Sequence, residues 1–321
     1  MKAVTHDRYG SPDILRLEDL PTPVPAPNEV LVRVAATSVN SWDWDLLTGT
    51  PYAFRLAHGL LQPRHRVLGA DVAGRVEAVG ERVTRFAPGD EVFGDLSAHR
   101  WGGFAEFACA PEEAWARRPP SMSVEQAAAL PQAGCMALQG LCEDGGLQPG
   151  HAVMINGGGG GVGTFAIQIA RAVGAEVTGV DRTDKLETMR VLGADRVLDY
   201  TREDFAREAS RYDLILDVTA HRSMFAYARA LRRGGTYVML GGAPGRILQL
   251  IAVGPWISWR QRKRMRLSIM KPNHGLDALV ERFAAGTLTP SIDRVYALEE
   301  VPEAFRHFHR GVHGKLVVRV G

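Results

Sequence analysis

The chain has 321 residues, 45% of them hydrophobic and 23% charged, which is the size and composition of a soluble protein with two domains and substantial cores. Its 38 basic and 36 acidic residues leave a net charge of +2, too small to argue for a polyanionic partner such as nucleic acid. The start, MKAVTHDRYG, lacks the apolar stretch of a secretory signal, and no segment offers about 18 uninterrupted apolar residues for a membrane span, so the cytoplasm is the expected location.

In the first 120 or so residues, short apolar runs such as Val30 to Ala36 and Val72 to Val79 alternate with Gly and Pro, including the turn Pro88-Gly89-Asp90, and read as mostly β structure. Three cysteines, Cys109, Cys135 and Cys142, show no CxxC spacing and an odd total, the pattern of reduced structural thiols rather than of a disulfide framework or a thiolate cage. From Ser121 to Ala137 the pattern turns helical: Ser123 caps, Glu125 and Gln126 lie in the first turn, and Pro131 interrupts the run, as in a hinge between domains. Strands and helices then alternate, as in a parallel sheet covered on both faces. Strands are expected at Ala152 to Asn156, Glu176 to Asp181, Leu214 to Val218 and Thr236 to Leu240, and helices at Val162 to Val173, Lys185 to Leu192 and Arg222 to Leu231. A helix from Gly275 to Ala285 and a last strand from Leu316 to Val320 close the chain.

The sharpest local signal is the strand Val153 to Asn156 followed by five glycines, Val162, Gly163 and the apolar-periodic TFAIQIARAVG. Gly158, Gly160 and Gly163 satisfy G-x-G-x-x-G between a strand and a helix, and Gly161 and Val162 lie inside it. The glycines let backbone approach a pyrophosphate, and the helix amino terminus offers that anion unpaired N–H groups and a positive dipole end. Asp181 ends the next strand at about the expected 20 residues, where a carboxylate hydrogen-bonds a ribose 2′-hydroxyl and favours NAD. Arg182 and Lys185, beside it, supply cations suited to a 2′-phosphate and point to NADP, unless they are solvated surface charges.

Taken together, AATSVNSWDWDLL, VLGADVAGRVEAVG, FAPGDEVFG, GGFAEF, AAALPQAG, NGGGGGVGTFAIQIA, LGADRVLDYTREDF, YDLILDV, RGGTYVMLGG, LTPSIDRVYALEEVPEAF and HGKLVV resemble, in order and spacing, the zinc-independent quinone oxidoreductase branch of the medium-chain dehydrogenase/reductase superfamily. The resemblance implies an α/β protein: a Rossmann doubly wound parallel sheet (123–265) and a GroES-like, mostly β catalytic domain (1–122) completed by a carboxy-terminal return (266–321), with the active site in the cleft. In the zinc enzymes of the superfamily the metal is held by a Cys and by the His-Glu of Gly-His-Glu; here those positions read Asn40 and Gly69-Ala70-Asp71, a set that cannot assemble a tetrahedral zinc site. The four-cysteine structural zinc loop is missing as well. No metal ligands are therefore expected.

Without a Lewis acid, oxidation of simple alcohols is disfavoured, whereas a quinone or an α,β-unsaturated carbonyl accepts hydride at a conjugated position and spreads the charge into a phenolate or enolate. The expected activity is NADPH-dependent reduction of such small molecules. By resemblance Asn40 lies beside the nicotinamide ribose or the substrate oxygen, against the plainer role of a strand-end Asn. Asp43 orients Asn40 or simply starts a helix. Tyr52 is a candidate proton donor, against a core or pocket-wall aromatic. Tyr200 resembles a position near the 2′-phosphate and, with Lys185, tips the expectation to NADP(H), Asp181 leaving NAD(H) open. Gly241 and Gly242 let backbone pass the nicotinamide carboxamide, and Lys315 counts among the cofactor contacts. Met136 departs from the family, which has Thr there.

Ile247 to Trp259 is apolar and is followed by RQRKRMR, with five basic residues in seven. A subunit interface or pocket wall is the favoured reading over a membrane-surface contact, since Gly254-Pro255 should break a continuous amphipathic helix. The ten histidines, His307, His309 and His313 included, are read as surface residues. A homodimer joined through the Rossmann domains is expected by resemblance. The alternatives are a metal-free alcohol or aldehyde dehydrogenase of the same superfamily and a non-catalytic cofactor-binding relative with an RNA-binding or lens-structural role.

Overall fold

The computed structural model describes residues 1–321, the side chains of Ala53 and Phe54 excepted. The chain forms two compact units, one of residues 1–133, 276–280 and 292–321, the other of residues 134–275 and 281–291. The chain thus changes unit at 133/134, 275/276, 280/281 and 291/292, the first two about ten residues beyond the sequence-based divisions.

The first unit opens with β1 (Lys2–Thr5) paired antiparallel to β2 (Arg16–Asp19). Its main sheet grows around β3 (Glu29–Val39), which pairs antiparallel with β4 (Asp71–Val79) and with β6 (Phe107–Pro111); β5 (Glu91–Asp95) pairs with β4 and carries the short β7 (Ala116–Arg117). Val30, Val32 and Val34 of β3 are buried, every second residue pointing into an apolar core with Leu47, Leu68, Val72, Val92 and Phe104. After β3 come α1 (Ser41–Thr48) and α2 (Ala53–His58). Ser123 caps α3 (Val124–Ala129) as expected: its Oγ accepts from Gln126 N at 3.2 Å and its own N donates to Gln126 Oε1 at 2.9 Å. Pro131 starts a new helix, α4 (Pro131–Leu138), which carries Met136.

The second unit is a six-stranded, all-parallel sheet of β8 (Ala152–Asn156), β9 (Glu176–Asp181), β10 (Arg196–Asp199), β11 (Tyr212–Asp217), β12 (Leu231–Met239) and β13 (Arg264–Leu267). Its order, β10-β9-β8-β11-β12-β13, is the 3-2-1-4-5-6 order of a doubly wound dinucleotide fold. All of β8 is buried, as a central parallel strand covered on both faces must be. The helices are α5 (Gly161–Ala172), α6 (Leu186–Val191), α7 (Met224–Ala230) and α8 (Pro244–Gln261). The β10 and β13 strands were not anticipated. Both are short and stand at the two edges of the sheet, and β13 offers only the pair Met265 and Leu267 as a period-two signal, at the end of a basic run.

The expected break at Gly254-Pro255 does not occur, for α8 runs through Pro255. That proline is exposed, and so is Ile251, whose carbonyl loses its helical partner and can be met by water. After α9 (Leu276–Ala284), the chain returns to the first unit with β14 (Ile292–Ala297), α10 (Val301–Arg310) and β15 (Lys315–Arg319). The β15 strand lies antiparallel to β3, with Leu316 opposite Val39, and so carries Lys315 to the end of β3 where Asn40 sits. The reading of all histidines as surface residues needs correction at His6: its ring is buried, Nδ1 lies 3.2 Å from Arg8 O and Nε2 2.9 Å from His65 O, and burial lowers its pKa.

Candidate active site

In the first unit, a buried polar cluster forms where β3, β4, β5 and β15 meet. Asn40 is the N-cap of α1, and Asp43 stands at N3, where its Oδ2 accepts from Asn40 N at 2.8 Å and its Oδ1 accepts from Gly69 N at 2.9 Å. This unites the two readings of Asp43, since the carboxylate starts the helix and holds Asn40. The Asn40 side chain turns inward, its Nδ2 donating to Asp71 Oδ2 at 3.0 Å while its Oδ1 accepts from the Lys315 ammonium. Asp71 also accepts from Ser38 Oγ at 2.9 Å and from Gln132 N at 2.9 Å, and its Oδ2 lies 3.3 Å from Lys315 Nζ. Lys315, assigned by resemblance to the cofactor, thus directs its ammonium at Asn40 and Asp71. Among the described residues no group of three or more His, Cys, Asp and Glu could hold a metal ion.

Asp95 lies opposite Asp71 across the β4–β5 pair, so Asp43, Asp71 and Asp95 are three buried carboxyls in one cluster. Burial is the main cause that pushes the carboxyls of Asp43 and Asp95 up to about 7, with the neighbouring Asp71 charge adding to it. Both values stand above the unfolded value of about 4, so the stabilisation from keeping these groups protonated is complete below about pH 4 and is lost as pH rises through about 7. Urea unfolding should therefore show stability falling between pH 5 and pH 7 by up to about 1.4 kcal/mol per pH unit for each carboxyl. Asp95→Asn, which removes one of them, should flatten that slope; an unchanged slope in the variant would contradict the assignment.

Tyr52 is not a core aromatic: it is 73% exposed ahead of α2, with the Arg55 guanidinium 4.8 Å from its ring centre.

In the second unit, the glycine loop crosses the carboxyl ends of the sheet where the strand order reverses, between β8 and β11. Gly157 takes a φ of +83°, and Gly157 N and Gly158 N donate to Val180 O at 2.9 and 3.1 Å. A Cβ on Gly163 would lie 2.1 Å from Gly157 O, so only glycine lets α5 start this close to the loop. Gly160, Gly161 and Val162 stay partly accessible at the helix amino terminus, where the first N–H groups have no intrahelical partner. Gly242, with φ of +147°, packs against Ala220, where a Cβ would lie 2.7 Å from the Ala220 Cβ; Gly241 precedes it at the end of β12.

Asp181 is tied into the loop, its Oδ2 accepting from Gly159 N and its Oδ1 from Arg182 N, both at 2.9 Å. Lys185 is not a solvated surface charge: it is buried across Gly159, with Nζ 3.7 Å from Asp181 Oδ1. Arg182 is more exposed and pairs with Asp184 at 3.2 Å. Tyr200 follows β10, its N donating to Asp181 O at 3.2 Å and its ring lying 5.3 Å from that of His221. Asp181, Arg182, Lys185 and Tyr200 therefore gather at one end of the loop.

Beneath the loop lies a buried network that the sequence reading missed. Asp217, ending β11, accepts from Asn156 Nδ2 and from Tyr237 OH, each at 2.7 Å, with Tyr227 OH 3.5 Å from Asn156 Nδ2. It ties β8, β11 and β12 together at the ends that carry the loop, and burial raises the Asp217 pKa. The signal available was a polar residue closing each of two apolar strands, VMIN and LILD.

Comparison with known proteins agrees with both units. Residues 26–120 match the alcohol dehydrogenase GroES-like domain, residues 124–221 the carboxy-terminal domain of alanine dehydrogenase/PNT, and residues 192–318 the zinc-binding dehydrogenase family. The mitochondrial NAD(P)H oxidoreductase RTN4IP1 of Mus musculus is 33% identical, covering 100% of this chain and 89% of its own. The 2-methylene-furan-3-one reductase of Solanum lycopersicum is 31% identical over 99% of this chain and 79% of its own. The structure of the quinone oxidoreductase from Coxiella burnetii superposes with a TM-score of 0.88 at 28% identity, covering 100% of this chain and 99% of that one. The glycine loop, the 3-2-1-4-5-6 sheet and full-length relatives above 30% identity lead to one assignment: the chain belongs to the medium-chain dehydrogenase/reductase superfamily, within its quinone oxidoreductase branch.

Proposed function

We propose that the protein reduces quinones or α,β-unsaturated carbonyl compounds with NAD(P)H, prefers NADP(H), and works without a catalytic zinc. The observation that carries the reading is the Lys315 ammonium between Asn40 Oδ1 and Asp71 Oδ2, the positions that resemble metal ligands in the zinc enzymes. One fixed positive charge already satisfies that donor set, and neither Asn nor Ala replaces a Cys or a His as a zinc ligand.

The glycine cradle fits a dinucleotide, because backbone fills the space that any Cβ on Gly163 would need. Gly158, Gly160, Gly161, Val162 and Gly163 would hold the pyrophosphate at the amino terminus of α5. Arg182, Lys185 and Tyr200 would take the adenosine 2′-phosphate. Asp181 favours NAD when it is free to accept from a ribose hydroxyl; here each of its oxygens already accepts a backbone N–H, and Lys185 offsets its charge, which supports NADP(H). Gly241 and Gly242 would flank the nicotinamide. When bound, the nicotinamide supplies the hydride.

A conjugated acceptor suits this chain because it delocalises the developing negative charge without a Lewis acid. Asn40 is held rigid by Asp43, Asp71 and Lys315 and has one amide hydrogen left to offer a ribose or substrate oxygen. The exposed Tyr52 phenol, or solvent, returns the proton.

The test offers chelator-dialysed protein NADPH or NADH together with a quinone, a 2-alkenal or a saturated aldehyde, and follows loss of the reduced nicotinamide. Turnover of the conjugated acceptors, faster with NADPH, is expected. Turnover of the saturated aldehyde alone, or activity only after zinc is added, would overturn the reading.

A further inference from the structure

The overall charge of +2 hides a strong segregation. Between Asp217 and Asp277 there is not one Asp or Glu, while that stretch holds eleven Lys and Arg. At its centre lies α8, an unbroken helix of 18 residues, about 27 Å long at 1.5 Å per residue.

One side of α8, through Leu250, Gly254 and Ile257, packs on the sheet. The opposite side is apolar too, and it faces outward. Leu248, Ile251, Pro255, Trp256 and Trp259 recur at three- and four-residue spacing, and Leu248 is 65%, Ile251 60%, Trp256 51% and Trp259 78% exposed. Phe225, on α7, extends the stripe, its ring 6.3 Å from that of Trp256. Scattered exposed apolar residues need no explanation, but a continuous stripe with two tryptophans does.

Arginines flank this stripe. Arg229 stands one turn after Phe225 on α7, and Arg260 one turn after Trp256 on α8; both are exposed. Gly234 N donates to Arg262 O, which brings Arg233 beside Arg262. Among the described residues none of Arg229, Arg233, Arg260 and Arg262 forms an ion pair with a carboxylate. Arg264 and Arg266 belong to the other face of the sheet, since they alternate with Met265, which packs against Gly254 of α8.

We propose that the α8 stripe docks on the surface of an anionic phospholipid bilayer, with Leu248, Ile251, Trp256 and Trp259 entering the headgroup boundary and Arg229, Arg233, Arg260 and Arg262 meeting lipid phosphates. The apolar-and-basic pairing is what an interfacial helix requires. A second copy of the chain fits less well, because pairing the stripe with itself brings two like arginine clusters together. A nucleic acid would use the arginines but gives Leu248 and Ile251 nothing to bury against. No helix among the described residues is long and apolar enough to cross a membrane, so the contact is peripheral.

The test is co-sedimentation of the full chain with vesicles of phosphatidylcholine alone or mixed with phosphatidylglycerol, at low and high salt, together with tryptophan quenching by brominated lipid. Binding to the anionic vesicles, weaker at high salt and about tenfold weaker on neutral ones, is expected. Trp256→Ser/Trp259→Ser and Arg260→Gln/Arg262→Gln should each weaken binding about tenfold while leaving acceptor reduction in solution unchanged, which shows that both variants are folded. The proposal is overturned by absence of binding to either vesicle, or by binding that neither variant weakens. It is equally overturned if Trp256 and Trp259 are shielded by concentration-dependent self-association in lipid-free solution, or if RNA binds as tightly as the vesicles and the tryptophan variant does not weaken it.

Discussion

Gly163→Val should lower NADPH affinity by about a hundredfold or more, equivalent to about 2.7 kcal/mol, because the loop that receives the pyrophosphate and the helix that faces it cannot then stand where they do. The first added carbon would lie 2.1 Å from Gly157 O and 2.6 Å from both Gly158 Cα and Gly158 C, all backbone atoms that cannot rotate away. Relief requires moving the start of α5 off β8, which also costs stability, about 1–3 kcal/mol as in other overpacked interiors. Gly160→Ala separates the two effects. A Cβ there would meet only Gly157 O, at an ordinary 3.6 Å, so the fold should be kept within about 0.5 kcal/mol while the methyl group intrudes on the pyrophosphate side of the loop. Isothermal titration with NADPH and thermal unfolding check both variants; parental affinity in Gly163→Val would refute the placement of the cofactor.

Lys315→Met should destabilise the protein by about 3–5 kcal/mol at neutral pH, the cost of leaving a buried carboxylate without its counter-charge. Lys315 and Asp71 are both buried, and the ammonium is the cation that Asp71 touches. Ser38, Asn40 and Gln132 would continue to donate hydrogen bonds to Asp71, but dipoles only partly replace a unit charge. Adding Asp71→Asn should recover part of the loss, giving a coupling energy that a double-mutant cycle reads directly. If Lys315→Met unfolds in urea within 1 kcal/mol of the parent, the ammonium does not stabilise this cluster.

The dinucleotide half was legible because each of its signals is local. VMIN followed by GGGGGVG fixes a strand, a turn and a helix within about a dozen residues, and β8 and β9 run from Ala152 to Asn156 and from Glu176 to Asp181 as read from the apolar runs. What Asp181 and Lys185 do was not legible. Whether a carboxylate at a strand end awaits a ribose or holds a loop amide depends on where the chain turns 22 residues earlier, at Gly159.

The buried cluster of the first unit was legible only in part. Asn40, Asp43 and Asp71 stand in recognisable motifs, but the partner that makes them one site, Lys315, lies 275 residues from Asn40 and meets it only because β15 pairs with β3. Asp95 lies just past the motif FAPGDEVFG and faces Asp71 across a strand pair, which no local pattern announces. At α8, local preference misled: Gly and Pro inside an apolar run argue for a break, yet packing of Leu250, Gly254 and Ile257 against the sheet outweighs a cost of about 3 kcal/mol for the proline.

The most direct test of metal-free hydride transfer to a conjugated carbon uses NADPH carrying deuterium at either face of nicotinamide C4, a 2-alkenal as acceptor and chelator-dialysed protein, with the product examined by NMR. One of the two labelled cofactors is expected to deliver deuterium to the carbon β to the carbonyl, giving a saturated aldehyde. Deuterium on the former carbonyl carbon of an allylic alcohol, or none in any product, would contradict it.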